Sequence, residues 1–179
     1  RQAVQTAQNN PSRVAVDFRG DAIMANRAFG GQSSVSRIIG DPQQCRDRNG
    51  NGRVDTSADH NANGVIEVDC NGDGLPDDLD GVARRPCAGG ARQEYFGVDD
   101  ECVAWTTNTF KPKAIGRPLA VVNTDVANPY VLDVDVWAGS YATGAYVSID
   151  GATGFCKADV LLPDECWKQG TGPYGAVID

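Results

Sequence analysis

The sequence predicts an all-β protein, and three observations lead to that prediction. The 179 residues include 21 Gly and 9 Pro, a composition that favours a turn-rich β fold over a helical bundle. The apolar runs are rich in β-branched residues, which is typical of strands, and they are too short for helices. Several of these runs recur in the same order along the chain. We therefore expect repeated units of short strands.

The repeat begins with a Pro that is followed by a short apolar run, as in PSRVAVD at 11–17. A second and a third β-prone run follow it in the same order. The matching segments are 11–17, 118–124 and 173–179 for the first feature, 23–27 and 136–140 for the second, and 35–38 and 146–149 for the third.

The length of the repeated unit indicates its architecture. Pro118 and Pro173 are 55 residues apart, whereas Pro11 and Pro118 are 107 apart, or 45 once the 62 residues of the acidic segment 40–101 are removed. A unit of about 40 to 50 residues with four short strands has the length of a β-propeller blade. The predicted fold is thus a partial β-propeller of about two four-stranded blades plus the start of a third. The alternative is a β-sandwich whose strands are similar by coincidence.

Each element has a predicted place in the chain. The expected strands are 13–17, 21–27, 34–39 and 102–107 in the first blade, and 119–124, 130–139, 145–150 and 155–162 in the second. The predicted domains are 1–39 for strands one to three of the first blade, 40–101 for the insert, 102–115 for the last strand of that blade and a linker, 116–165 for the second blade, and 166–179 for the start of a third. Because the chain begins and ends within the pattern, we expect it to be part of a longer protein.

The acidic insert, residues 40–101, carries the net charge of the chain. It holds 14 Asp and Glu against 6 Lys and Arg, while the rest holds 10 of each kind. Such a segment repels nucleic acid and attracts cations, so we expect no nucleic-acid partner. No apolar run reaches the roughly 18 residues of a membrane-spanning helix, so we also expect no membrane span.

The chain has six cysteines. An even number in a Gly- and Asp-rich chain favours disulfides and an oxidising compartment, and hence an extracellular, periplasmic or cell-surface location. We favour the pair Cys45–Cys102 because it would join the two ends of the acidic insert. The alternative is free buried thiols in a cytosolic protein. The remaining favoured pairs are Cys70–Cys87 and Cys156–Cys166.

Part of this pattern resembles a known family. AVDFRGDAIMANR at 15–27, DVWAGSY at 135–141 and VSIDGATG at 147–154 resemble the blade signatures of NHL and streptogramin-lyase-like β-propellers. The resemblance covers roughly 11–39 and 102–179. It implies a propeller fold of the secreted bacterial type, but it implies no particular reaction.

Within the insert, Asp and Asn occupy alternate positions ahead of a Gly in three copies of D-x-[DN]-x-[DN]-G. Calcium takes six to eight oxygen ligands, and this spacing turns alternate side-chain oxygens toward one point while the Gly permits the bend. We name the copies the first loop (47–59), the second loop (59–69) and the third loop (69–80). The candidate calcium ligands are Asp47, Asn49, Asn51, Asp55 and Asp59 in the first loop, Asp59, Asn61, Asn63, Glu67 and Asp69 in the second, and Asp69, Asn71, Asp73, Asp77 and Asp80 in the third.

The third loop has the best set of ligands, with acids at positions 1, 5, 9 and 12. In the first loop, position 12 is Ala58, so Asp59 must reach in from position 13. Gly, Pro and Asp recur too often for the flanking helices of an EF-hand. Segment 47–80 resembles the thrombospondin type 3 calcium repeats instead, which implies ions wrapped in extended chain. The alternative is a metal-free loop in which Asn-Gly and Asp-Gly form hairpin turns.

We predict no catalytic residue in this chain. The one His, His60, lies at an outward-pointing position of the second loop, and no second His can activate a Ser nucleophile. We expect a secreted or surface module that binds a protein or glycan, with calcium stabilising its insert. The alternative implied by the resemblance is a divalent-metal-dependent lyase or lactonase, with Asp17 and Asp179 facing a central channel and most catalytic residues outside this chain.

Overall fold

The computed structural model describes residues 10–28, 31–59, 62, 64, 66, 94–109, 115–124, 134–161, 175 and 176. The strands in this part of the chain are β1 (Asn10–Val16), β2 (Ala22–Arg27), β3 (Ser34–Ile38), β4 (Val103–Asn108), β5 (Gly116–Asn123), β6 (Val134–Ser140), β7 (Ala145–Asp150) and β8 (Cys156–Leu161). Single turns of 3-10 helix span Pro42–Gln44 and Gly97–Asp99. Each predicted strand overlaps one of these strands, so the prediction of an all-β fold is confirmed. Among the described segments, no helix has the length and apolar character that crossing a membrane requires.

The strands form two four-stranded sheets, each in chain order, β1-β2-β3-β4 and β5-β6-β7-β8. β2 pairs antiparallel with β1 and β3, and β6 pairs antiparallel with β5 and β7. β4 completes the first sheet although residues 39–102 separate it from β3. Over the described residues the two sheets do not close into a ring. The chain divides into two compact units, which we name the insert unit (42–103) and the two-sheet unit (the remainder).

The two sheets share one hydrophobic core. Successive side chains of a strand point to opposite faces, and β6 buries Val134, Val136 and Ala138 while Asp135 and Trp137 between them are partly exposed. Burying one aliphatic side chain contributes about 1.5–3 kcal/mol, so this core is the main source of stability in the two-sheet unit. The core cluster is Ile23, Val35, Val136, Ala138, Val147 and Ile149, with Trp105, Leu119 and Val121 packed against it.

A buried arginine joins the two sheets. Arg37 on β3 is only 7% exposed, and its Nε and Nη2 both donate to Oδ2 of Asp21. Its Nη1 donates at 2.6 Å to the carbonyl oxygen of Gly151, in the turn between β7 and β8 of the other sheet, and its Nη2 lies 3.4 Å from Oδ2 of Asp17. A buried charge is costly unless it is paired and hydrogen-bonded. The guanidinium group therefore holds the two carboxylates and the Gly151 carbonyl at fixed positions.

The same two carboxylates order the turn between β1 and β2. Oδ1 of Asp17 accepts hydrogen bonds from the backbone N–H of Arg19 at 2.8 Å and of Asp21 at 2.9 Å. Gly20 has φ +86°, a left-handed conformation that favours glycine. Oδ1 of Asp21 accepts from the backbone N–H of Gly40 at 2.9 Å. The turn and the buried ion pair are thus one hydrogen-bonded network.

The turn between β7 and β8 is fixed by its own carboxylate and by β4. Oδ1 of Asp150 accepts from the backbone N–H of Thr153 at 2.8 Å and from its Oγ1 at 2.7 Å. Trp105 on β4 donates from Nε1 to the carbonyl oxygen of Gly151 at 3.0 Å. Gly154 has φ +77°, and a Cβ there would lie 2.8 Å from the Trp105 ring, so no larger residue fits.

The predicted disulfide Cys45–Cys102 is confirmed, with an S–S distance of 2.08 Å and a Cα–Cα distance of 4.8 Å. The predicted bond between Cys156 and Cys166 is wrong, because Cys156 is an exposed free thiol. Its backbone is fixed by pairing with Ile149 in the ladder between β7 and β8, and its side chain meets solvent instead of a second sulfur. Cys70, Cys87 and Cys166 lie outside the described residues.

Replacing Arg37 by Ala should lower the free energy of unfolding by about 3–5 kcal/mol, because it leaves two buried carboxylates without their cation. Chemical denaturation followed by fluorescence would measure the loss. Arg13→Ala, at an exposed position on β1, is the control and should change stability by less than about 0.5 kcal/mol. Equal effects of the two variants would contradict a structural role for the buried pair.

Acid should weaken the β7–β8 turn. The hydrogen bonds from Thr153 hold the pKa of Asp150 below its ordinary value, so the stabilisation is complete above the unfolded pKa of about 3.9 and is lost as the pH falls through the lower folded value. In Thr153→Val, which removes the Oγ1 donor, the pKa of Asp150 should rise toward that of a free Asp. Carboxyl chemical shifts in an NMR pH titration would show this, and an unchanged Asp150 titration would contradict it.

Candidate metal site

The first loop folds around the carboxylate of Asp47. Its Oδ1 accepts from the backbone N–H of Gly50 at 2.6 Å and of Asn51 at 3.2 Å, and its Oδ2 accepts from that of Gly52 at 2.8 Å. Gly50 and Gly52 have φ +74° and +84°, which only glycine adopts at little cost. The chain therefore bends back on itself at the Gly that the sequence motif contains.

Two polar side chains at alternate positions of this loop, Asn49 and Asn51, converge on Asp55. Oδ1 of Asn49 accepts from the backbone N–H of Asn51, and Oδ1 of Asn51 accepts from that of Arg53, both at 3.0 Å. Nδ2 of Asn49 and Nδ2 of Asn51 both donate to Oδ2 of Asp55, at 2.8 and 2.7 Å. The structure thus brings together three of the predicted ligands, Asn49, Asn51 and Asp55.

The carboxylate of Asp55 is strongly hydrogen-bonded. Asp55 is 6% exposed, and Nε of Arg53 donates to its Oδ1 at 2.8 Å. Burial raises the pKa of Asp55, but the amides of Asn49 and Asn51 and the Arg53 guanidinium outweigh it, so the pKa lies below its ordinary value. The Asp55 carboxylate is therefore ionised at neutral pH, and its oxygens can serve as anionic metal ligands.

Glu101 is a member of this site that the motif does not contain. Its Oε1 accepts from the backbone N–H of Arg48 at 2.6 Å and of Asn49 at 3.0 Å, and its Oε2 accepts from that of Asp55 at 2.8 Å. In the sequence, the one feature that points to Glu101 is its position directly before Cys102, whose disulfide partner Cys45 lies near the start of the insert.

The second loop is described only in part. Oδ2 of Asp59 accepts from the backbone N–H of Gly64 at 2.7 Å, the same contact from position 1 to position 6 that Asp47 makes with Gly52 in the first loop. Gly64 also has a left-handed φ, +85°. The remaining predicted ligands lie outside the described residues, namely Asn61, Asn63, Glu67, Asp69, Asn71, Asp73, Asp77 and Asp80.

The donors of the first loop suit a hard cation. They are carboxylate, carboxamide and main-chain oxygens, which calcium prefers, without the nitrogen or sulfur ligands of zinc. In the described part of the chain no three or more His, Cys, Asp and Glu side chains are close enough to hold a metal ion. A cation here would therefore need the Asn oxygens and the backbone as well as the two acids Asp47 and Asp55.

The structure also locates one of the residues proposed to line a catalytic channel. Asp17 is 6% exposed, and its carboxylate is engaged by backbone amides and by Arg37. A carboxylate in that position supports the fold and is not presented to solvent. Asp179 and His60 lie outside the described residues, so no described residue adds support for a lyase or lactonase.

Comparison of this chain with protein-family models, with curated proteins and with solved structures finds no match. The resemblances to propeller blades and to thrombospondin type 3 repeats therefore stay predictions from the residues themselves.

Removing the Cys45–Cys102 disulfide should destabilise the insert unit. The bond joins residues 57 positions apart, and loss of a bridge of this kind typically costs about 2–5 kcal/mol. The double variant Cys45→Ser, Cys102→Ser should unfold at lower denaturant concentration in a protein without added calcium. Cys156→Ser removes an exposed free thiol and is the control; if it cost as much stability, the effect could not be assigned to the bridge.

Proposed function

We propose that this chain is a secreted or cell-surface β-propeller module whose acidic insert binds calcium, and that the module binds a protein or a glycan. The propeller is supported by the order of the strands. Two consecutive four-stranded sheets follow one another in chain order, as blades do, whereas β-sandwiches are usually built with Greek-key connections. β5, the first strand of the second sheet, lies next to β1 and β2, so the first strands of the two sheets are neighbours.

The observation that carries the calcium proposal is the conformation of the first loop. Asp47, Asn49, Asn51 and Asp55 follow the motif spacing, the loop already has the bend that the motif requires, and the side chains of Asn49 and Asn51 converge on Asp55. These four residues and the main-chain oxygen of Arg53 would hold the ion. When bound, calcium would supply positive charge to a segment, 47–80, that carries 9 acids and 2 bases.

The second and third loops repeat the motif, so we extend the proposal to the ligands named for them above. Asp59 belongs to two loops in the sequence, and neighbouring ions could share its carboxylate. The contact between Asp59 and Gly64 supports a second loop built like the first.

Two observations support a secreted module with a binding partner. The disulfide is compatible with an oxidising compartment. Val14, Val16 and Phe18 on and after β1 are 63%, 66% and 58% exposed, and neighbouring exposed apolar side chains mark contact surfaces. In the proposed fold such a surface meets another sheet or a partner protein.

Calcium should bind to the wild-type protein with measurable heat in isothermal titration calorimetry. The protein should first be treated with a chelator, so that sites already holding calcium are emptied and all sites contribute to the heat. Asp47→Ala should abolish the contribution of the first loop, because it removes both a ligand and the carboxylate that holds the bend. Asp41→Ala, at an exposed acid outside the three loops, removes the same charge and should bind calcium like the wild type. Absence of calcium heat in the wild type, with a circular dichroism spectrum that does not respond to chelator, would refute the proposal.

A further inference from the structure

We propose that Glu101 is a positioning residue for the first calcium loop, an inference that rests on the calcium function proposed above. Glu101 belongs to none of the three motif copies. It lies 21 residues beyond Asp80 in the sequence and directly precedes Cys102. Its role follows from what its carboxylate contacts.

The Glu101 side chain bridges the two arms of the loop. One oxygen accepts from the backbone of Arg48 and Asn49 on the incoming arm, and the other accepts from the backbone of Asp55 on the outgoing arm. The backbone N–H of Glu101 in turn donates to the carbonyl oxygen of Asp55 at 2.8 Å. Glu101, which lies 46 positions beyond Asp55 in the chain, therefore sets the distance between the ligand positions 49 and 55.

Burial makes this bridge rigid. Glu101 is 2% exposed, so a carboxylate that moved away would leave buried N–H groups without acceptors, which is costly. The guanidinium of Arg48 adds further contacts between the loop and the segment that carries Glu101. It donates to the carbonyl oxygens of Asp100 at 2.7 Å and of Val103 at 2.9 Å.

Glu101 acts through the ligands and not as one of them. Its carboxylate is buried against the loop backbone, 2% exposed, with both oxygens bonded to main-chain N–H groups, whereas the proposed ligands Asp47, Asn49 and Asn51 are exposed. The first loop has Ala58 at position 12, where the motif has an acid. The opposite end of the insert thus supplies the carboxylate that braces this loop.

Glu101→Gln is the informative variant. It keeps the shape of the side chain, but an NH₂ group replaces one acceptor oxygen, so one arm of the loop loses its contact. Loss of a group that orients metal ligands typically weakens metal affinity by about 10- to 100-fold. Glu101→Asp keeps the charge and shortens the reach, and it should give a smaller loss.

Asp100→Asn is the matched control. Asp100 is also a buried carboxylate, 9% exposed, that accepts from backbone N–H groups, those of Ser57 at 2.8 Å and Cys102 at 3.0 Å. Of the first loop its side chain contacts only Ser57, which carries no proposed ligand, and not the backbone of Arg48, Asn49 or Asp55 that Glu101 joins. A general loss of stability would therefore appear in Asp100→Asn as well, whereas a specific loss of loop geometry would not.

The test is a calcium titration followed by ¹H–¹⁵N NMR, with the amide signals of Gly52 and Gly64 as separate reporters of the first and second loops. In Glu101→Gln the Gly52 midpoint should shift to about 10- to 100-fold higher calcium, while the Gly64 midpoint stays near its wild-type value. Asp100→Asn should leave the Gly52 midpoint unchanged. If Glu101→Gln does not fold, Glu101→Asp gives the same comparison with a smaller shift.

The outcomes separate the two proposals. A wild-type protein whose Gly52 signal does not respond to calcium would overturn the calcium function and the role of Glu101 together. A wild-type response with an unchanged midpoint in Glu101→Gln would overturn the role of Glu101 alone. Equal shifts in Glu101→Gln and Asp100→Asn would show that Glu101 only stabilises the insert unit, and would also overturn it.

Discussion

The structure depends on one topological constraint, the return of the acidic insert to the place where it leaves the sheet. β3 and β4 are neighbours in the first sheet, although residues 39–102 lie between them. The entropic cost of closing a loop rises only slowly with its length, so a long insert is tolerated at this point. Closure also brings residues from the two ends of the insert into contact, as the 4.8 Å Cα–Cα distance between Cys45 and Cys102 shows. The contacts of Glu101 with the first loop are a direct consequence.

In the two-sheet unit, polar contacts add specificity to an apolar core. A slip of one residue between strands moves every side chain to the other face, so hydrophobic burial already disfavours it. Ile23 pairs with Arg37 in the observed register, and that register sets the Arg37 guanidinium between Asp21 and the carbonyl oxygen of Gly151. A slip of one residue would turn Arg37 to the opposite face of the sheet and leave the buried carboxylate of Asp21 unpaired. The ion pair therefore reinforces the strand register that the apolar core favours, and the hydrogen bond from Arg37 to Gly151 links the two sheets.

The sequence predicts those features that depend on local pattern. The strands follow from short β-branched runs, and the bend of the first loop follows from the spacing of Asp, Asn and Gly. Arg37 and Glu101 could not be predicted, because their partners Gly151 and Arg48 are 114 and 53 positions away in the chain. Proximity in sequence was also the wrong criterion for Cys156, whose place is decided by the ladder with β7. Cys45–Cys102 could be predicted because the insert as a whole must return to its origin.

The three loops differ in the balance between hydrogen-bond donors and acidic residues. This difference determines how much a bound cation would stabilise each loop. In the first loop the Asp55 carboxylate has donors from Asn49, Asn51 and Arg53, so its charge is compensated by the chain itself. In the third loop the sequence places Asp73 where the first has Asn51, and Leu75 where the first has Arg53. An amide donor and a cation are thereby replaced by a further acid and an apolar residue. Because like charges at such short spacing repel each other, the sequence predicts that calcium contributes most to the third loop, whereas the first loop has its binding shape from hydrogen bonds.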